Sequence, residues 1–330
     1  MFINAFKTNR VYLPFVIVVV TLLLWLDGFW YYREIAIPSE YPAPLYALIL
    51  PFFETYKFLN VLLAFVFLIT QAFVFNHIVT TKNLVDRHSF MPGFLYAILM
   101  SSSFDMFSFH PVLISNFFLI IVLDKIIDVF SEEKVYLEVF NVGLLVGLAS
   151  LFYFPSIFFI LLAIIALFVY YIASLRSIIA NFLGFFTPFF FLGVFYHMTD
   201  QLDERLYEFA GMFRPFMVFN IELEQFMSIY LSLFAFIGFI TIVTVYLSFL
   251  RDRPVRVRKR YNVFLYFFII SLISLLFVLE QQLIFYGTLN IYAAVILSCF
   301  FHSNKNRHLN ELVFTLLFVF LILVKLDRFG

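Results

Sequence analysis

The sequence predicts an all-α fold: a polytopic transmembrane helical bundle of about 10–11 spans with its N-terminus in the cytoplasm. Three observations carry this reading. The chain has 330 residues, of which 64% are hydrophobic and 13% charged; a soluble domain needs a more charged exterior. Several apolar runs reach the length of about 18 residues that crosses hydrocarbon, where backbone amides must be satisfied within helices. Lys and Arg also concentrate in alternate connectors, which sets an orientation.

Lys7 and Arg10 precede the first apolar run, 11–26. It reads as an uncleaved span, because Trp25-Leu26-Asp27-Gly28-Phe29-Trp30 is bulky where a cleavage site needs small residues. A polar segment with several prolines, 27–55, separates it from a second span, 56–79. After a connector holding Lys82 and Arg87 come a third span, 90–104, a tight turn from Asp105 to Pro111, and a fourth span, 112–130. Ser131 supplies a helix N-cap ahead of the fifth span, 136–152, which ends before Pro155. The sixth and seventh spans, 156–174 and 177–196, lead to a longer polar stretch, 198–224. The eighth span, 225–250, precedes the densest charge run, 251–260; spans at 261–279, 283–301 and a short one at 311–324 complete the chain. The expected division is a seven-helix module over 1–220 and about four further spans over 221–330.

With the N-terminus inside, the cytoplasmic segments hold Lys7, Arg10, Lys82, Arg87, Lys125, Lys134, Arg176, the six cations of 251–260, Lys305 and Arg307. That is 15 of the 21 Lys and Arg residues. Segments 27–55, 105–111, 153–155 and 198–224 then share the outer face. The run 251–260 is expected to set topology and touch anionic lipid.

Composition narrows the function classes. A formal net charge of zero gives no reason to expect a nucleic-acid partner. A single cysteine, Cys299, forms no internal disulfide. The 52 Phe residues read as lipid-facing surface. No CxxC, HExxH or DxD spacing points to a metal, and no cofactor is expected. Asn116, Asn141 and Asn181 lie within apolar runs, where interhelical hydrogen bonding is their ordinary role.

The candidate chemistry lies on the outer face. Asp27, just past the first span, reads either as a solvated helix end or as a general base or metal ligand at the mouth of an outward cavity. Arg33 and Glu34 follow it. His110 and His197 read as interfacial relay groups or as hydrogen-bonded helix-end residues. Arg205 and Arg214 suit a lipid phosphate held by bidentate contacts, or pairing with Glu204 and Glu208. Transport ranks third among the readings, because the helix centres are nearly free of charge.

The motifs Asn76-His77, Asn83, Arg87-His88-Ser89-Phe90-Met91-Pro92-Gly93, Pro111 to Asn116, Gly143, Gly147-Leu148-Ala149-Ser150, Pro155-Ser156 and Gly184 to Pro188 resemble a family of polytopic membrane proteins from Bacteroidota that brings no activity with it. The wider order is similar to the seven-helix module of the glycosyltransferase-C superfamily. It shares an outside loop with an acidic residue after the first span, a basic connector before a proline-started third helix, a short hairpin around Gly147 and Pro155, and a long outside loop after the seventh helix. That resemblance implies a bacterial inner-membrane enzyme taking a sugar from a lipid-phosphate-linked donor in the outer leaflet. Asp27 would be the base, and Arg33, Arg205 or Arg214 would lie near the phosphate. The sequence departs from the superfamily in its short first loop, in Asp27-Gly28 where a pair of acidic residues is common, and in having no C-terminal soluble domain. The alternative is a non-catalytic subunit or scaffold whose aromatic surface packs on partner membrane proteins.

Overall fold

The computed structural model describes residues 12–32, 42–85, 89–128, 135–211, 239, 242–243, 245–246, 253–275, 283–303 and 307–326. Among these the helices run α1 (Leu13–Trp30), α2 (Pro44–Thr55), α3 (Lys57–Thr81), α4 (Met91–Leu99), α5 (Pro111–Asp128), α6 (Val135–Phe152), α7 (Phe159–Val169), α8 (Leu175–Met198), α9 (Leu202–Gly211), α10 (Val255–Leu275), α11 (Leu289–Ser303) and α12 (Arg307–Leu326). No strand occurs among the described residues. By length and composition, α1, α3, α6 and α8 can cross a membrane. Most of the expected eighth span, 225–250, lies outside the described residues.

Three elements differ from the sequence reading. The expected polar loop up to Thr55 contains α2, an apolar helix that starts on Pro44 and carries Pro51 inside. Proline at the first helical position is favourable because its missing N–H has no partner to lose there. The expected third span stops at Leu99, after nine residues. The expected sixth span contains a helix of only 11 residues, α7, entered through a tight helical turn at Phe154–Phe158.

The shortness of α4 follows from its position. All nine of its residues are buried, so its surroundings replace the lipid that a full-length span would meet. Gly93 lets it approach α3: a Cβ there would lie 2.7 Å from the Ala72 carbonyl oxygen. The Gly93 N–H donates to Asn76 Oδ1 at 3.1 Å. Phe94 stacks with Phe314 of α12, and Asn290 of α11 donates to the Leu99 carbonyl at 3.2 Å. The Trp25 indole N–H of α1 donates to Ser101 Oγ at 2.9 Å just beyond the helix.

From Met100 to His110 the chain is not α-helical, yet nearly all of it is buried. Irregular backbone of this kind is tolerated at membrane depth only inside protein or around a polar cavity. Here polar side chains take up its exposed backbone groups. Asn60 Oδ1 accepts from the Phe109 N–H, and Ser108 Oγ donates to the Asp105 carbonyl at 3.2 Å. Deeper in the bundle, Gln71 donates to the Leu113 carbonyl and accepts from the Tyr96 hydroxyl, both at 2.7 Å. Gln71 is about 21 Å along α3 from Lys57, so this layer lies near the middle of the bundle. Asn116 extends it by donating to the Gly287 carbonyl at 3.0 Å. Asn181 departs from the expected role: it is buried with neither amide atom hydrogen-bonded among the described residues.

The polar connectors separate into two ends. At one end Gly28 meets Phe107, Phe53 meets Phe109, Tyr32 meets Phe58 and Phe154 meets Phe209. Met106 packs with Tyr153 there, which ties the segments expected to share the outer face into one surface. At the other end Lys82 pairs with Asp124 at 2.9 Å and Lys125 with Glu138 at 3.0 Å. Arg260 donates to the Lys82 carbonyl, and Arg176 lies over the Tyr136 ring. Arg260 of the charge run thus joins Lys82 of an earlier connector at one end.

Candidate functional site

Asp27 occupies the last turn of α1 and is partly exposed. A carboxylate near a helix C-terminus meets the negative end of the backbone dipoles, so its own helix does not stabilise it. The Asp27 carbonyl accepts from the Tyr31 N–H at 2.8 Å. Its carboxylate has no hydrogen bond or ion pair among the described residues. Gly28 explains its placement. A Cβ at that position would come within 2.7 Å of the Phe107 ring, so only glycine lets the end of α1 lie against the turn that follows α4.

Beside this helix end is an open cleft of about 540 Å³ lined by Tyr32, Glu54, Thr55, Tyr56, Lys57, Phe58 and Leu59. It forms where α2 ends and α3 begins. Phe58 connects it to α1, with its ring 6.2 Å from that of Phe29 and 5.8 Å from that of Tyr32. The lining combines one carboxylate, one ammonium and two phenols with an aromatic wall. Such a mixture suits an amphiphilic ligand with a polar head. None of these residues was singled out by the sequence reading. The available signal was the polar run Glu54-Thr55-Tyr56-Lys57 between two apolar stretches, split between the tail of the first loop and the start of the second span.

The other candidates fall in different settings. His110 is fully buried in the loop before α5, where Nδ1 accepts from the Leu113 N–H at 3.1 Å. Its Nε2 has no hydrogen-bond partner among the described residues. Burial lowers its pKa from 6.5 to about 3. An unfolded chain binds a proton below about 6.5 and the folded chain does not. Stability tied to this group is therefore present at neutral pH and drains as pH falls, by ~1.4 kcal/mol per unit at full effect. His110→Asn keeps an acceptor for the Leu113 N–H and should flatten the fall in melting temperature between about pH 7 and about pH 5. An unchanged slope would assign the acid sensitivity elsewhere.

His197 is exposed in the last turn of α8. Arg205, on α9, donates to Glu208 at 2.6 Å and lies over the Tyr196 ring. The hydrogen bond to Glu208 raises its pKa. Exposed pairs of this kind contribute little to stability, but this one occupies the guanidinium face that a phosphate would use. Phe209 holds α9 against Phe154 and Phe189. No contact among the described residues joins Asp27 to His197 or Arg205. Arg33, Glu34 and Arg214 lie outside the described residues. No protein-family model, curated protein or solved structure matches the sequence.

Proposed function

We propose that this chain is a multi-pass protein of the bacterial inner membrane, with a glycosyltransferase-C-like module that handles a lipid-phosphate-linked sugar at the outer leaflet. The observation that supports this reading is the open cleft just past the end of α1, which sets Lys57 and Glu54 beside an aromatic wall suited to an adjoining apolar chain. Asp27 acts as the general base that removes a proton from the acceptor hydroxyl. Lys57, which lines the cleft, takes the role of phosphate contact.

The test uses the purified full chain in proteoliposomes with a radiolabelled polyprenyl-phosphate-linked hexose and a polyprenol-linked acceptor. Asp27→Asn should reduce transfer by about 100-fold or more, the usual weight of a positioned base, while thermal stability stays unchanged. Lys57→Gln should raise the donor KM about tenfold, as expected for loss of a charged contact. Unchanged turnover in the Asp27 variant would reject its role as base.

A second reading, a non-catalytic subunit of an envelope complex, is favoured by the row of exposed aromatic side chains on α8, Phe186, Phe190, Phe191 and Phe195. It requires stoichiometric partner proteins to remain bound through purification in mild detergent. A clean monomer with full transfer activity would set it aside.

A further inference from the structure

Lys259 of α10 lies between two tyrosines at the basic end of the bundle. Its Nζ is 4.4 Å from the centre of the Tyr171 ring and 5.8 Å from that of Tyr170. Tyr171 follows the end of α7 in a left-handed backbone conformation, φ 63°, which a residue with a Cβ adopts unfavourably. It is held there by hydrogen bonds from its own N–H to the Phe168 carbonyl and from the Ile172 N–H to the Leu167 carbonyl. The result is a phenol ring 86% exposed beside an ammonium group. Arg256, one helical turn before Lys259 and on the same face, is also exposed.

Exposed apolar side chains flank these residues in the chain: Phe168 three residues before Tyr171, Leu175 four residues after it, and Val255 next to Arg256. A surface for an acidic protein or for free phosphate has no need of that border. A bilayer interface has both parts, with phosphates at headgroup level for the cations and acyl chains just below for the apolar rim. Tyrosine is suited to the boundary itself.

We propose that Tyr171, Arg256 and Lys259 form a binding surface for the headgroup of an anionic phospholipid. Arg256 and Lys259 hold the phosphate, Tyr171 sits at the interface, and Phe168, Leu175 and Val255 contact the upper acyl chain. This inference stands on the basic end alone and does not depend on transfer activity at the opposite end.

The test is lipid retention by the full chain. Protein purified in mild detergent is mixed with phosphatidylglycerol and phosphatidylcholine in equal amounts, and retained lipid is quantified by mass spectrometry. Wild type should retain phosphatidylglycerol in preference to phosphatidylcholine, and free glycerol phosphate should not displace it. Arg256→Gln and Lys259→Gln should each weaken apparent affinity by about fivefold, the weight of one cation near an anionic surface. Tyr171→Ser, at a residue 86% exposed, should reduce retention with little change in thermal stability. Equal retention of both lipids, displacement by glycerol phosphate, or wild-type retention in the variants would each overturn the proposal.

Discussion

Gly184→Leu should prevent α6 and α8 from packing and leave little folded protein. A Cβ at Gly184 would lie 2.0 Å from the Phe140 carbonyl oxygen and 3.0 Å from the Leu144 nitrogen. Across the same interface, a Cβ at Gly143 would meet the Asn181 carbonyl oxygen at 2.1 Å. These obstacles are backbone atoms, so a side chain can enter only if the helices separate. Without a strong hydrophobic drive between helices in lipid, such close approach supplies much of the attraction. Gly184→Ala should already cost about 3 kcal/mol, at the upper end of ordinary overpacking, and leucine more. Gly193, nine residues along the same helix, has nothing within 4 Å of its added Cβ, so Gly193→Leu should be nearly neutral. Cys299, the one cysteine and fully buried, provides the readout. A thiol-reactive dye labels it only on unfolding, so labelling against temperature reports stability directly. Equal melting curves for the two leucine variants would refute this account of the interface.

Gln71→Met should be the second large loss. The substitution keeps the volume of the side chain but leaves the Tyr96 hydroxyl and the Leu113 carbonyl without the partners they have at 2.7 Å. Buried groups stripped of a hydrogen bond cost ~1–3 kcal/mol each. A loss of about 2–4 kcal/mol is therefore expected, since the Leu113 carbonyl also belongs to a helix. Tyr96→Phe alone leaves the Gln71 amide oxygen unpaired. The Gln71→Met, Tyr96→Phe double variant removes both members of that bond and should lose less than the sum of the single changes, by about 0.5–3 kcal/mol. Strict additivity would mean that the two side chains do not share the bond. The same layer anchors the irregular segment after α4, so its loss should also loosen the turn against which the end of α1 rests.

Glycine and polar residues matter here for reasons that lie far away in the chain. Gly184 and Gly143 look like ordinary small residues in apolar runs; their importance comes from a neighbour's carbonyl about 40 residues distant. Ser101-Ser102-Ser103, just past Leu99, is a local signal for a helix end that the predicted span to 104 passed over. What no local pattern records is that so short a helix is enclosed by α1, α3, α11 and α12, which contact it and the backbone beyond. Pro51, which suggested a loop, is accommodated within α2. Candidate chemistry divided in the same way. Asp27 was legible because a lone carboxylate at the end of an apolar run is conspicuous. The cleft past the end of α1 was not, since Glu54 and Lys57 join Tyr32 only when α2 and α3 meet α1.

The sequence by itself determined that the chain is helical and strongly apolar, with its cations concentrated in particular connectors. These are properties of composition and local periodicity, summed over neighbouring residues. Only the tertiary structure decided which helix is cut short, which glycines touch backbone, where the polar layer lies and where a cleft opens. Those features depend on pairs such as Gln71 with Leu113 and Asn116 with Gly287, 42 and 171 residues apart, and no local pattern records which distant residue a side chain will meet.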